Sequence, residues 1–245
     1  MAHGAEWILL AVAGFAAGTV NGVAGGGSLL SFPALLLVGY GSVAANVTNA
    51  IAVLPGYAGG SIAYRRELSG QRERVIVLGA ISAAGAVVGA ALLLVAPERL
   101  FSSLAPWLVL LACAALAARP LLHPGGKTRP RGLLWLLMFV GGIYGGYFGA
   151  GLGIMLLALL GAFLPDGMHR LNALRGMMAL LLQIAACVVL AAFGPVAWVP
   201  AVVMGATSLL GGHFGVGVAR RVDENLLRYG VVVYGVAVAA LLLVD

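Results

Sequence analysis

Two glycine-rich interruptions inside apolar runs restrict this chain more than any other feature. The first is Asn21–Ser28, Asn-Gly-Val-Ala-Gly-Gly-Gly-Ser, set between the apolar runs Trp7–Val20 and Leu29–Val38. As helices these arms reach roughly 21 and 15 Å, short of a bilayer core, which takes about 20 residues to cross. A Gly-Gly-Gly run releases the backbone from helix. Inside a membrane, free N–H and C=O groups persist only against protein or a water-filled cavity. The interruption recurs: Gly18–Gly27 aligns with Gly142–Gly151 at an offset of 124. Farther along the offset becomes 126 and pairs Asn46 with Asn172, Gly79 with Gly205, Ser82 with Ser208, Gly85 with Gly211 and Gly89 with Gly215. Ordered matches at one spacing predict a duplicated unit. Paired interruptions in the two halves of a membrane chain point to a transporter binding site.

That the chain lies in a membrane follows from its composition. It is 62% hydrophobic and 9% charged, with a mean hydropathy of +1.07, where soluble domains carry about 25% charged residues. No strand-like alternation suggests a β-barrel. Most of its basic residues sit in short loops between apolar segments, where they read as topology signals rather than a nucleic-acid surface. Cys113 and Cys187 fall inside apolar runs as small packing residues,. The first residues lack the basic region of a cleaved signal peptide, so the first apolar segment is expected to be retained.

The expected fold is therefore all-α and polytopic. Two repeats, residues 1–118 and 132–245, are joined by a basic linker at 119–131. Each repeat holds one Gly-interrupted element, re-entrant or broken, followed by three transmembrane helices. Counting cations chooses between arrangements. If the interrupted elements cross the membrane, the 14 basic residues divide 8 and 6 between the two sides. If they are re-entrant hairpins, the second half is inverted and the division is 13 to 1, with Arg99 alone outside. The positive-inside rule favours the inverted pair, with broken crossing helices as the alternative. Arg65–Arg74 and Pro165–Arg170 then share the inner side.

The residues Gly18–Pro33, Ala45–Ala50, Gly142–Gly153 and Leu171–Gly176, with the basic central linker and the length near 250, resemble the TauE/SafE-type membrane proteins. That family is associated with export of sulfite and small organosulfonates. The resemblance covers nearly the whole chain and implies an anion exporter in a bacterial inner membrane. The family often carries a Thr-Ser pair near the start of the span after each interruption. Here those places read Thr48-Asn49 and Leu174-Arg175.

The candidate substrate-binding residues are Asn21, Gly25, Gly26, Gly27, Ser28, Thr48, Asn49, Gly149, Gly151, Asn172 and Arg175. A half-helix N-terminus and its exposed N–H groups favour anions, and Ser28 is placed to cap a helix beginning at Leu29. The polar side chains also read as caps and interhelical glue that need no ligand. Arg175 carries two readings. It can snorkel to the headgroups on its long stem, or face a cavity and hold an anion with its two-donor fork. Tyr144 and Tyr147 read as packing or interfacial groups, and Gln183 and His213 as interhelical hydrogen-bonding groups.

The leading expectation is a transporter of a small anion, with binding between the two interruptions and alternating access. Its partners are the anion and the bilayer; a homodimer is left open, and no cofactor, metal or nucleic acid is expected. An inside-negative potential drives an anion outward, since one charge through 100 mV is worth about 2.3 kcal/mol. A non-transporting scaffold is the alternative. An intramembrane enzyme is the third, disfavoured because no predicted span holds a carboxylate and the sequence has four His in all, too few for nucleophilic or metal chemistry.

Overall fold

The structure, a computed structural model, describes residues 2–23, 25–118, 130–215 and 224–244. Within them the chain is helical, without strands. The first half comprises α1 (Ala2–Val23), α2 (Ser28–Leu37), α3 (Ser42–Ala63), α4 (Arg72–Val95) and α5 (Glu98–Ala118). The second comprises α6 (Arg131–Tyr147), α7 (Leu152–Phe163), α8 (Met168–Phe193), α9 (Trp198–Leu210), which runs into a π-turn at Gly211–Gly215, and α10 (Glu224–Val244). Among the described residues, four segments are long and apolar enough to cross a bilayer: Gly4–Gly22, Arg72–Val95, Glu98–Ala117 and Met168–Phe193. Only 39% of each such window is buried in the protein. The rest presents apolar side chains such as Ile8, Val87, Trp107 and Val188 outward, as a lipid-facing surface requires. Most of the predicted linker, residues 119–129, and the pair Arg220-Arg221 lie outside the described residues.

The interruptions are shorter than their glycine content predicts. α1 runs unbroken through Gly18 and Gly22, and α6 through Gly142, Gly145 and Gly146. The first arm is therefore a 22-residue helix, not a half-span, whereas α2 and α7 remain short at 10 and 12 residues. The glycines inside α1 and α6 do not break a helix; they let another helix come close. A Cβ on Gly18 would strike the Ser208 carbonyl oxygen, and one on Gly142 would strike that of Ser82. Gly211 meets the Phe15 carbonyl in the same way, and Gly85 that of Phe139. These are the positions that the internal repeat pairs, at its two offsets. α1 is thus set against α9, and α6 against α4, through matching positions of the two halves. Small residues at such crossings allow the van der Waals contact that drives association in lipid.

Contact order along these pairs sets directions. Gly14 meets Met204 and Gly18 meets Ser208, so α1 and α9 run the same way. Gly56 meets Ser208 and Gly59 meets Leu209, so α3 and α9 do too. With α1 and α3 both parallel to α9, the chain must return between them, and α2 makes that return as the short arm of a hairpin. Gly142 meets Ser82 and Gly146 meets Ala86, so α4 and α6 are parallel. The start of α5 lies beside the start of α3, where Ser102 Oγ donates to Ser42 Oγ at 3.2 Å; α4 between them therefore runs back. At the far end of α3, the loop before α4 meets the loop before α8. Arg74 pairs with Asp166, Arg170 Nη1 donates to Ser69 O at 3.2 Å, and Gln71 Nε2 donates to Arg170 O at 3.2 Å. With Arg74 39% exposed, its ion pair contributes little stability,, but it fixes which loops share an end.

Candidate functional site

The interruptions themselves are built by glycines in the left-handed region. Gly25 has φ +83°, Gly149 +76° and Gly151 +70°, a conformation that costs a side-chain-bearing residue about 1–2 kcal/mol. Gly26 is not among them, and a Cβ there would meet its neighbours at 3.6 Å or more. Gly27 is helical in backbone but lies against the Ala17 carbonyl, with no room for a side chain. The two interruptions touch one another: Gly153 N–H donates to Gly25 O at 3.2 Å.

Arg175 sits at that junction. It lies two turns into α8 and is 3% exposed, so it does not snorkel to the headgroups. Its Nη2 donates to Asn21 O at 3.3 Å and to Gly22 O at 3.4 Å. These are carbonyls of the last turn of α1, which lack partners within the helix and carry partial negative charge. On the other side, a Cβ on Gly25 would stand 2.5 Å from Arg175 Nη1, and one on Gly153 3.1 Å away. Gly25 and Gly153, one from each half of the chain, therefore make the space in which the guanidinium lies.

Arg175 lines a cavity with Asn21 and Gly22 of α1, Tyr57 and Ser61 of α3, Tyr64 just past its end, and Asn172 of α8. The centre of a water molecule can range over about 10 Å³ of it, room for about one water. Three buried atoms on its lining residues have no hydrogen-bond partner: Asn21 Nδ2, Ser61 Oγ and Asn172 Oδ1. Each such atom costs about 1–3 kcal/mol if left unsatisfied. As it stands the cavity suits a water: Asn21 Nδ2 donates, Asn172 Oδ1 accepts and Ser61 Oγ can do either,, while Arg175 supplies the charge that an oxyanion would need in a wider cavity.

Of the residues that the sequence singles out, Asn21, Asn172 and Arg175 come together here. The glycines Gly25, Gly27, Gly149 and Gly151 build the turns of the two interruptions and do not line the cavity. Ser28 does not cap a helix that starts after it. Ser28 is itself the first residue of α2, Gly27 is the N-cap, and the Gly27 N–H is taken by Asn21 Oδ1 at 2.7 Å. Asn49 bonds Ser31 of α2, and Thr48 Oγ1 accepts the N–H of Ala197 at 3.0 Å, at the start of α9. Both tie helices together away from the cavity. His213 is exposed, in the π-turn, with its ring edge-on to Phe214. Tyr144 donates to Ala150 O at 2.6 Å and braces the second interruption.

Tyr57, Ser61 and Tyr64 escape a reading that looks for polar clusters at the interruptions. Their spacings of four and three residues put them on one face of α3, a signal present in the sequence. The repeat offset pairs Tyr57 with Gln183, Ser61 with Cys187 and Arg175 with Asn49. At that counterpart place, Gln183 Nε2 and Cys187 Sγ both reach Ala50 O, at 3.0 and 3.4 Å. The two places thus differ in charge: Arg175 stands at one, and the neutral Asn49 at the other, although Asn46 Oδ1, like Asn172 Oδ1 at the matching position, is buried without a hydrogen-bond partner.

Comparison with known proteins comes to the same membrane class. The profile of the family described as sulfite exporter TauE/SafE matches residues 10–242. The chain is similar to a probable membrane transporter protein, ORF9, of Sinorhizobium sp, with 26% identity over 239 residues, 96% of this chain and 92% of that protein. It is also similar to a probable membrane transporter protein of Haemophilus influenzae, with 28% identity over 247 aligned positions, 97% of this chain and 94% of that one. No solved structure matches.

Proposed function

This chain belongs to the sulfite exporter TauE/SafE family, and from that membership we propose that it exports a small oxyanion, sulfite or a short sulfonate, through the cavity around Arg175. It is a multi-pass membrane transporter. One observation carries the substrate reading: a guanidinium 3% exposed lines a cavity with three unpartnered polar atoms, where the two interruptions meet. The cavity is too tight for a sulfonate beside its solvent, so this conformation is closed around the site. Substrate enters when the α3 and α8 faces separate. An inside-negative potential then favours outward movement of the anion without a coupled ion.

The reading includes an inverted relation between the halves, with the arginine-rich end in the cytoplasm of a bacterial cell. The parallel pairing of α1 with α9 and of α4 with α6 supports it, as does the contact of the loops before α4 and α8. Opposed halves give alternating access by rocking against each other around a fixed site. Single cysteines at Ser69 and Gly167, both exposed, in a chain with Cys113 and Cys187 replaced, are expected to react with impermeant thiol reagent from the cytoplasmic side only. Labelling from opposite sides excludes the inverted arrangement.

The activity is tested with purified protein in liposomes loaded with sulfite, sulfoacetate, taurine, sulfate or a short carboxylate. Efflux of sulfite or a sulfonate above that of empty liposomes, accelerated by a potential negative inside, is the expected result. Efflux equal to protein-free vesicles for every anion sinks the exporter reading.

A further inference from the structure

We propose that a second cavity, at the arginine-rich end between α4, α6 and the loop before α8, binds an anionic phospholipid of the adjoining leaflet. The cavity measures about 440 Å³, within the range of ligand pockets, roughly 300–1,000 Å³. It shares no lining residue with the cavity at Arg175, so it is not part of the transport site. Three cations line it: Arg74 from the first turn of α4, Arg131 from the start of α6, and Arg170. Glu73 lines it too, and Asp166 pairs with Arg74 and Arg170 from beside it. Arg131 adds a cation beyond those that Asp166 engages. The rest of the wall is apolar, with Trp135, Leu134 and Val77 among its residues.

The position of the cavity along the helices selects a lipid over a soluble anion. Arg131 is exposed, and one turn later Trp135 is 47% and Leu136 57% exposed. On α4, the charged Arg72–Arg74 turn gives way to Ile76, 57% exposed. Within a single turn of each helix the surface passes from charged to lipid-facing, so the cavity straddles the headgroup boundary. A tryptophan at that depth is an interfacial group. A basic pocket between helices on the cytoplasmic side, continuous with an apolar wall, fits a phosphate headgroup above and the start of an acyl chain below. The phosphate accepts from Arg131 with Arg74 and Arg170 at its rim, and the chain lies on Trp135 and Leu134. Because Arg74 and Arg170 belong to different repeats, the bound lipid spans the two halves.

The test uses the full-length protein in mild detergent and native mass spectrometry. Phosphatidylglycerol is compared with phosphatidylcholine of the same chains, and glycerol 3-phosphate and inorganic phosphate are added as competitors. Retention of phosphatidylglycerol is expected to exceed that of phosphatidylcholine by about tenfold. Arg131→Gln and Trp135→Ala should each remove most of that preference. Arg72→Gln, an exposed position at the same end but outside the cavity, should leave it intact. Equal retention of the two lipids overturns the proposal, as does equal loss in Arg72→Gln. Displacement of the lipid by inorganic phosphate or glycerol 3-phosphate would assign the cavity to a soluble anion instead. Retention is read without transport, so the result stands apart from the fate of the exporter reading.

Discussion

Arg175→Gln should bring anion efflux from proteoliposomes down by roughly 30- to 5,000-fold, because loss of one partner of a buried charged contact costs about 2–5 kcal/mol. Arg175→Lys should recover only part of this. An ammonium keeps the charge but cannot present a planar fork to two oxygens while reaching the Asn21 and Gly22 carbonyls,. The contrast between the two variants separates recognition from architecture. If the guanidinium serves only to cap the end of α1, any cation that reaches those carbonyls suffices, and Lys restores both efflux and apparent affinity. Full efflux in Arg175→Lys with an unchanged KM therefore sinks the recognition role. Thermal stability in detergent, measured on the same samples, separates loss of fold from loss of binding. Sulfite should raise the melting temperature of wild type and not of Arg175→Gln, since only a ligand bound to the folded state stabilises it.

Gly25→Ala should abolish transport where Gly26→Ala leaves most of it. Gly25 has φ +83°, and a methyl group there would stand 2.5 Å from Arg175 Nη1 and 2.6 Å from the Gly153 Cα. The left-handed backbone costs alanine about 1–2 kcal/mol, and the crowding adds the cost of moving either the guanidinium or α7. Overpacking of this kind costs about 1–3 kcal/mol more. Gly26 meets only side-chain methyls, at ordinary contact distance. Efflux normalised to folded protein, with the melting temperature alongside, measures both. Equal behaviour of the two variants would mean that the junction of the interruptions has no part in transport.

Three adjacent glycines look alike in a sequence, yet their neighbours in space make them unlike. Gly25 needs its φ, Gly27 needs the space beside the Ala17 carbonyl, and Gly26 needs neither. The same holds for Gly18 and Gly142. They read as parts of the interruption, yet each lies inside an unbroken helix because a helix of the other repeat crosses there. Thr48 and Asn49 carry the donor and acceptor groups of a binding site but are used to join α3 to α9 and to α2. Ser28 has the chemistry of a cap, and Asn21, six residues upstream of Gly27, takes the N–H instead.

What the sequence by itself determined is the membrane class, together with the matched spacing of small residues in the two halves and the isolated charge of Arg175. Apolar content is a property summed over residues, so 62% hydrophobic composition decides the solvent without any contact being known,. The matched spacing is legible because Gly18 beside Ser208, and Gly142 beside Ser82, must keep two backbones close, which calls for small residues at these places in both halves,. Arg175 stands out because a permanent charge inside an apolar span is costly. Only the tertiary structure decided that this charge turns inward to the end of α1, that Tyr57 and Ser61 share its cavity, and that the counterpart place in the other repeat is tied up by Gln183 and Cys187. The reason is that a polar side chain in lipid takes whichever partner lies within about 3 Å, and that partner is chosen by helices more than a hundred residues apart in the chain.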